Sequence, residues 1–135
     1  MPAGYSGTPL IRKLGIRPGM RLRFINEPEH YRALLGTLPD DLVIARATRG
    51  HFDFIHLFVD RHAELRRQIP RLIDAIRPDG MLWVSWPKKA SGVATDITED
   101  VIREEALSTD LVDVKVCAVD ETWSGLKLVI RTARR

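Results

Sequence analysis

Short apolar runs of strand length recur along this chain, and helical patterns separate several of them. The runs lie at residues 21–25, 42–45, 54–59 and 81–86 and have the length and the bounding turns of β-strands. Residues 54–59 are apolar except for His56, as expected of a strand that is covered on both faces. Because strands that alternate with helices are usually parallel, the pattern favours a parallel sheet with right-handed crossovers.

Helical spacing of apolar residues, together with end signals, predicts four helices. They span residues 9–14, 28–35, 61–76 and 96–108. Thr8 is placed to cap the first helix and Asp60 to cap the third. Asp96 and Glu99 have the spacing of a capping box at the fourth. Pro70 removes one backbone hydrogen bond inside the third helix, so we expect a kink or a break there.

The C-terminal part of the chain has a different period. Residues 112–118 and 126–130 alternate between apolar and polar or small side chains, and a turn-forming segment, 120–125, joins them. Two such runs with a short Gly-containing connection predict an antiparallel hairpin. The sequence therefore predicts a single α/β domain over residues 1–135, with a Rossmann-like, mostly parallel sheet that ends in a C-terminal antiparallel hairpin.

Two segments fit this architecture less simply. The link from residue 45 to residue 54 is too short for a helical crossover, so 42–45 is either an edge strand with a plain return loop or an antiparallel partner. In the first strand Arg21 and Arg23 alternate with apolar residues, although a central parallel strand is usually apolar on both faces. We therefore expect one face of that strand to be thinly covered, which allows a homo-oligomer interface there.

The composition restricts the function classes. The chain has 135 residues, of which 44% are hydrophobic and 29% charged, as in one folded domain. Its net charge is +3, and its basic residues are interspersed with acidic ones. This distribution does not favour a continuous basic surface that binds nucleic acid. No apolar run reaches the length of a membrane span. The first residues lack the features of a secretory signal, and the single cysteine, Cys117, excludes an internal disulfide. We therefore expect a cytoplasmic protein with no membrane partner.

The sequence has no pattern typical of a metal centre or an activated nucleophile. His51, Asp53 and His56 lack metal-ligand spacing, because the first two would share a strand face and the third would point the other way. Cys117 has no histidine placed by sequence to activate it, so we expect a small buried residue. No nucleophile elbow or Walker loop occurs. We therefore predict no metal site.

Polar and aromatic residues follow several predicted strands and fill the hairpin turn. These segments meet at the carboxyl edge of the sheet, where open α/β sheets bind their ligands. The candidate ligand-binding residues at this edge are Asn26, Trp86, Lys88, Lys89, Ser91, Asp120, Glu121 and Trp123. Tyr5 and Ser6 are expected close to them. The lysine pair would hold an anion, and Trp123 would stack on a flat ligand or on a side chain of a protein partner.

Most of these residues also have a purely structural interpretation. Lys88 and Lys89 are ordinary in a solvated loop, and the acidic pair Asp120–Glu121 would keep a hairpin turn in water. Trp86 and Trp123 are harder to explain in this way, because a tryptophan on a loop is seldom exposed without contact area to cover.

The turn after the first strand lacks glycine. It reads Asn26, Glu27, Pro28 and Glu29, at the place where a nucleotide-binding α/β domain has glycines that let the backbone approach a cofactor. We therefore predict that no cofactor is bound there in the usual mode.

Two segments, residues 52–59 and 76–84, resemble the fourth and fifth strands of the class I methyltransferase fold, which flank a helix. More closely, the whole chain resembles a bacterial family of small proteins that consist of a domain of unknown function, with no assigned activity. The segments that carry this second resemblance are 3–10, 86–92, 95–101 and 115–126. The resemblances imply a reduced methyltransferase-like fold.

The resemblance to methyltransferases also implies binding residues that this chain lacks. Such enzymes carry an acidic residue and several glycines after the first strand, and a carboxylate after the second strand for the ribose hydroxyls. Here Asn26 and Pro28 occupy the first turn, and the nearest residue after 42–45 is Arg46, which has the opposite charge. We therefore expect a non-catalytic methyltransferase-like module that binds a small anionic ligand or a protein partner at the carboxyl edge. The alternatives are an unconventional S-adenosylmethionine-dependent methyltransferase and a weak nucleic-acid binder.

Overall fold

The computed structural model describes residues 8–46 and 49–134. Within these residues the chain forms four α-helices and one six-stranded sheet. The helices are α1 (Leu10–Leu14), α2 (Tyr31–Leu35), α3 (His62–Ala75) and α4 (Glu99–Leu107). The strands are β1 (Arg21–Ile25), β2 (Val43–Ile44), β3 (Phe52–Phe58), β4 (Ile76–Pro87), β5 (Leu111–Ala118) and β6 (Trp123–Ile130).

The strand order in the sheet is β2-β1-β3-β4-β6-β5. The first four strands run parallel to their neighbours, and β6 pairs antiparallel with both β4 and β5. Pro87 at the end of β4 lies opposite Trp123 at the start of β6, so the hairpin turn reaches the carboxyl edge of the parallel strands. The predicted Rossmann-like sheet with a C-terminal antiparallel hairpin is confirmed.

β2 is a short edge strand. It runs parallel to β1, with Arg21 opposite Val43 and Leu22 opposite Ile44. The described part of the connection from β2 to β3 contains no helix. Of the two alternatives for residues 42–45, the edge strand with a plain return loop is therefore the right one.

One face of β1 is thinly covered, as its alternating pattern predicts. The guanidinium of Arg21 lies over the ring of Phe52, 5.0 Å from its centroid, so an arginine side chain covers part of the apolar core. Val43, on the neighbouring edge strand, is 51% exposed. Whether a second copy of the chain covers this face stays a prediction.

Residues 77–80, whose Arg-Pro-Asp-Gly sequence is typical of a turn, lie inside β4 as a bulge. Phe52 pairs with Ile76, but Phe54 pairs with Met81, so the intervening residues of β4 leave the ladder. A Cβ atom at Gly80 would lie 3.0 Å from the carbonyl oxygen of Phe52. The bulge therefore requires glycine at this position because the two backbones approach closely.

The start of α3 is capped by a residue from a distant loop. The helix begins at His62, and the predicted cap, Asp60, makes no side-chain bond to it. Instead, Asp96 Oδ1 accepts the backbone N–H of His62 at 2.6 Å. The Thr95 hydroxyl donates to the carbonyl oxygen of Asp60 at 2.7 Å. The assignment of Asp60 as the cap is wrong, because a side chain 34 residues away fills that place.

The cap of α4 also differs from the prediction. The helix begins at Glu99, and the Thr98 hydroxyl accepts the backbone N–H of Val101 at 3.2 Å. The predicted capping box of Asp96 and Glu99 is therefore wrong, since Asp96 bonds to α3 instead.

Two further predictions concern the helices. Thr8 does not cap α1, which begins at Leu10 without a cap from any described side chain, so that assignment is wrong. α3 continues through Pro70 from end to end, so of the two predicted outcomes the break does not occur, and the kink stays a prediction. Ile69 and Leu72, on either side of the proline, are buried, and this packing offsets the one lost backbone bond.

The core has two layers, one on each face of the sheet. The layer under α3 and α4 includes Leu65 and Ile102, and the layer under α1 and α2 includes Leu14 and Tyr31. Trp83 is fully buried in the second layer, and its Nε1 donates to the carbonyl oxygen of Leu14 at 2.9 Å. None of the described helices is long and apolar enough to cross a membrane.

Candidate functional site

The chain turns sharply at the carboxyl end of β1. Asn26 follows the last residue of the strand and has a φ of 59°, in the left-handed region that glycine and asparagine adopt most readily. Pro28 follows two residues later, and its carbonyl oxygen accepts the N–H of Tyr31 at the start of α2. Asparagine therefore makes the backbone turn for which a glycine would otherwise serve, and it adds an exposed amide side chain.

A cavity of about 630 Å³ opens beside this turn, between the ends of β1 and β3. We call it the elbow cavity. Its lining residues are Asn26, Phe58, Val59, Asp60, Arg61, Ala63, Glu64, Arg67 and Trp123. A volume of this size is typical of sites for small molecules and cofactors, which span about 300–1,000 Å³.

One wall of the elbow cavity is aromatic. Phe58 and Trp123 meet edge to face, with ring centroids 5.1 Å apart. Phe58 is buried and Trp123 is half-buried, so the indole keeps part of its surface open. These two rings can pack against a flat or cationic group of a ligand.

A hydrogen-bonded chain of buried side chains lies beneath this wall. His56 Nδ1 and the Tyr31 hydroxyl are 2.6 Å apart, and His56 Nε2 and the Ser85 hydroxyl are 2.7 Å apart. The imidazole of His56 stacks on Phe58, with centroids 4.1 Å apart. Burial lowers the pKa of His56 to about 3, so the ring is neutral at pH 7 and fixes Phe58 without placing a charge in the core.

Asp60 is one of two acidic residues that line the elbow cavity. Its side chain is exposed and makes no hydrogen bond or ion pair with any residue in the described ranges. The other carboxylate of the lining, Glu64, is bonded to Arg67 one turn further along α3. Asp60 therefore presents an unpaired carboxylate to the cavity, and the lining also holds Arg61, which is exposed and has no ion pair among the described residues.

Asp120 holds the hairpin turn in place through its hydrogen bonds. Its Oδ1 atom accepts the backbone N–H groups of Thr122 and Trp123 at 2.8 and 2.7 Å, and its Oδ2 atom lies 2.7 Å from His30 Nε2. Burial alone would raise the pKa of Asp120, but these hydrogen bonds outweigh it and hold the pKa below its usual value. Asp120 thus positions Trp123 at the cavity wall.

The other predicted site residues lie around the cavity rather than in it. The backbone N–H of Lys88 donates to the Thr122 carbonyl oxygen at 2.7 Å, which ties the loop after β4 to the hairpin turn. The Ser91 hydroxyl donates to the Lys88 carbonyl oxygen at 2.6 Å. Lys89 and Glu121 are exposed. Neither the two lysines nor this serine lines the elbow cavity.

Trp86 has a different environment from the exposed loop that the sequence suggested. It lies in β4 and is only 8% exposed, within the core layer under α3 and α4. Of the eight predicted residues, Asn26 and Trp123 line the elbow cavity, and Asp120 fixes the second of these. The ligand-binding roles of all eight stay predictions, and Tyr5 and Ser6 lie outside the described residues.

A second, basic cavity of about 400 Å³, which the sequence did not indicate, lies at the ends of β1 and β2. We call it the basic cavity. Its lining residues are Arg23, Phe24, Ile25, Asn26, Glu27, Arg32, Ile44, Ala45 and Arg46. Its three arginines come from three separate segments, so no local pattern reveals the cluster. Asn26 lines both cavities.

The fold belongs to a known structural class. The strand order and the solved structures that the chain resembles define the methyltransferase-like Rossmann fold of class I S-adenosylmethionine-dependent methyltransferases. No protein-family model and no curated protein matches the sequence. The resemblance to a bacterial family of small proteins therefore stays a prediction.

Three solved structures illustrate the similarity. A candidate type 11 methyltransferase of Sulfolobus solfataricus matches with a TM-score of 0.63 and 14% identity over 91% of this chain and 90% of that chain. The ribosomal protein L11 methylase of Lactobacillus delbrueckii subsp. bulgaricus gives 0.56 and 14% over 90% and 75%. Magnesium protoporphyrin IX methyltransferase of Synechocystis PCC 6803, with bound SAH, gives 0.57 and 12% over 91% and 78%. At these identities the similarity concerns the fold.

Proposed function

We propose that the chain binds S-adenosylmethionine, or a related adenosyl compound, in the elbow cavity and acts as an unconventional methyltransferase. The observation that carries this proposal is the unpaired carboxylate of Asp60, which lines one cavity with the rings of Phe58 and Trp123 at the carboxyl edge of a methyltransferase-like sheet. Ligands of open α/β sheets bind at this edge. The resemblance to methyltransferase structures supports the same assignment.

The lining residues suit the charge and the shape of such a compound. When bound, S-adenosylmethionine supplies a methyl group carried on a positively charged sulfonium. The carboxylate of Asp60 would stabilise that positive charge, and the face of Trp123 would pack against the cation or against the adenine ring. Asn26 would offer its amide to the polar end of the ligand.

Two features make the binding mode unconventional. The turn at Asn26 carries side chains where glycine would let the backbone approach the ligand. Arg46 follows β2, where a carboxylate would accept the ribose hydroxyls. The ligand would therefore depend more on Asp60 and the aromatic wall than on backbone contacts, and we expect micromolar affinity, on the order of −8 kcal/mol.

Calorimetric titration with S-adenosylmethionine tests the proposal. We expect binding to the unsubstituted chain and at least a tenfold loss in Asp60→Asn and in Trp123→Leu. Asp79→Asn is the matched control, since Asp79 is an exposed acid in the bulge of β4 and outside the lining of the elbow cavity. The absence of heat at millimolar ligand, with the chain folded, would contradict the proposal, and so would equal affinities for Asp60→Asn and Asp79→Asn.

A second candidate is a non-catalytic module for an anionic ligand. The observation that favours it is the basic cavity, which gathers three arginines beside the glycine-free turn. This candidate predicts that titration with S-adenosylmethionine is silent while an anion binds. Binding of an anion without binding of S-adenosylmethionine would favour the non-catalytic module over the methyltransferase.

A further inference from the structure

The basic cavity concentrates positive charge at one point of the carboxyl edge. Arg23 comes from β1, Arg32 from α2 and Arg46 from the segment after β2, and the one carboxylate in the lining is Glu27. Three guanidinium groups and one carboxylate leave a local charge of about +2 at pH 7. The elbow cavity, which shares Asn26, differs in charge, because its lining holds two carboxylates and two arginines.

The three arginines are not used in ion pairs within the described ranges. Arg66, Arg67, Arg77, Arg103 and Arg134 each pair with a carboxylate. Arg23, Arg32 and Arg46 have no such partner among the described residues, and the guanidinium of Arg32 lies over the ring of Phe24 at 5.5 Å. Their donors remain available to a ligand in the cavity.

Arg23 is unusual in its position. It lies in β1, the strand between β2 and β3, opposite Ile55 of β3 and one residue beyond the last pair with β2, and it is half-buried. Strands in such a position are normally apolar on both faces, and clustered like charges repel one another and destabilise the folded state. A bound anion would remove that repulsion.

We propose that the basic cavity binds the phosphate group of a small phosphate monoester. A phosphate monoester carries a charge of about −1.5 to −2 at neutral pH, which matches the local excess of +2, whereas a carboxylate would neutralise only half of it. The guanidinium fork also fits phosphate oxygens with two parallel hydrogen bonds. This inference goes beyond methyl transfer and deepens the second candidate by naming the class of anion, and it holds whether or not the elbow cavity binds an adenosyl compound.

Because Asn26 borders both cavities, one molecule could place a phosphate in the basic cavity and another part near the elbow cavity. If the proposed function also holds, the phosphate-bearing molecule is the methyl acceptor. Inorganic phosphate alone is therefore the appropriate first probe, since it reports on the basic cavity without the elbow cavity.

The test measures thermal unfolding with increasing inorganic phosphate against sodium chloride of equal ionic strength. Arg46→Gln is the test variant, because Arg46 is exposed and its replacement should not disturb folding. Arg71→Gln is the matched control, an exposed arginine of α3 outside the basic cavity. Phosphate also stabilises proteins by exclusion from their surface, so the difference between the two variants is the quantity that counts.

We expect phosphate to raise the melting temperature of the unsubstituted chain and of Arg71→Gln, with at least a tenfold higher midpoint concentration for Arg46→Gln. Calorimetry should also show AMP binding at least tenfold more tightly than adenosine. Equal responses of the two variants to phosphate, or equal affinity for AMP and adenosine, would overturn the proposal. If phosphate binds and S-adenosylmethionine does not, the proposed methyltransferase function is wrong and the phosphate site is supported. If S-adenosylmethionine binds and phosphate does not, only the phosphate site is wrong.

Discussion

His30 and Asp120 are hydrogen-bonded at 2.7 Å between Nε2 and Oδ2, although 90 positions separate them in the chain. The bond joins the segment that follows the β1 turn to the hairpin turn before β6. Asp120 also holds the backbone of Trp123. This contact therefore sets the position of the aromatic wall relative to Asn26.

Replacing Asp120 should destabilise the chain. In Asp120→Ala the half-buried N–H groups of Thr122 and Trp123 lose their acceptor, and a hydrogen bond to a charged group contributes about 1.5–3 kcal/mol. Denaturant unfolding measures the loss. Glu121→Ala is the control, because this neighbouring acid is exposed and should change the free energy of unfolding by less than about 0.5 kcal/mol. Equal effects of the two substitutions would contradict the role given to Asp120.

The stability should fall as the pH falls below about 6.5, because His56 is neutral in the folded chain. Burial lowers its pKa from 6.5 to about 3, so the unfolded chain binds one more proton than the folded chain between these values. The free energy of unfolding then decreases by up to about 1.4 kcal/mol per pH unit.

The pH window from about 6.5 to 5.5 lies above the usual pKa values of aspartate and glutamate, so the titration of carboxylates contributes least to the slope there. Denaturant unfolding across that window gives the slope, and NMR of the His56 ring gives its protonation in the folded chain. We expect no titration of this ring above pH 4.5. A ring that titrates near pH 6.5 with the chain folded would refute the assignment.

The cap of α3 provides a test in which the sequence and the structure predict opposite results. Asp96→Ala removes the acceptor of the His62 N–H and should cost about 1 kcal/mol. Asp60→Ala should leave the free energy of unfolding nearly unchanged, since its side chain does not cap the helix. A larger loss in Asp60→Ala than in Asp96→Ala, measured by denaturant unfolding, would restore the sequence-based assignment.

Gly125 should tolerate no side chain. A Cβ atom at this position would lie 3.0 Å from the Ser85 hydroxyl and 3.1 Å from Cε3 of Trp83. Gly125→Ala would crowd a well-packed core, so we expect a loss of about 1–3 kcal/mol in denaturant unfolding. Ser124→Ala, a half-buried neighbour, is the control. A neutral Gly125→Ala would show that the packing around Ser85 is looser than described.

The sheet could be predicted from the sequence because its signals are local. The apolar run at 54–59 and the alternation at 112–118 correspond to β3 (Phe52–Phe58) and β5 (Leu111–Ala118). The caps could not be predicted as well, because the Asp96 bond to α3 spans 34 residues. A short-range pattern instead favoured Asp60, which lies next to the helix.

The candidate site was predicted only in part for the same reason. Topology placed Asn26 and Trp123 at one edge, and both line the elbow cavity. Trp86 is the last residue of the predicted run 81–86, and its burial comes from the core layer under α3 and α4, which a local pattern does not show. The basic cavity combines residues from β1, α2 and the segment after β2, and no spacing along the chain connects them.

The most direct test of the central claim is NMR mapping of the folded chain during titration with S-adenosylmethionine. Trp83 and Trp86 are buried and Trp123 is half-buried, so the three indole N–H signals distinguish the aromatic wall from the core. We predict saturable shifts of the Trp123 indole and of the backbone N–H signals of Asn26 and Asp60. A spectrum unchanged at millimolar ligand, or shifts confined to other parts of the chain, would contradict the account.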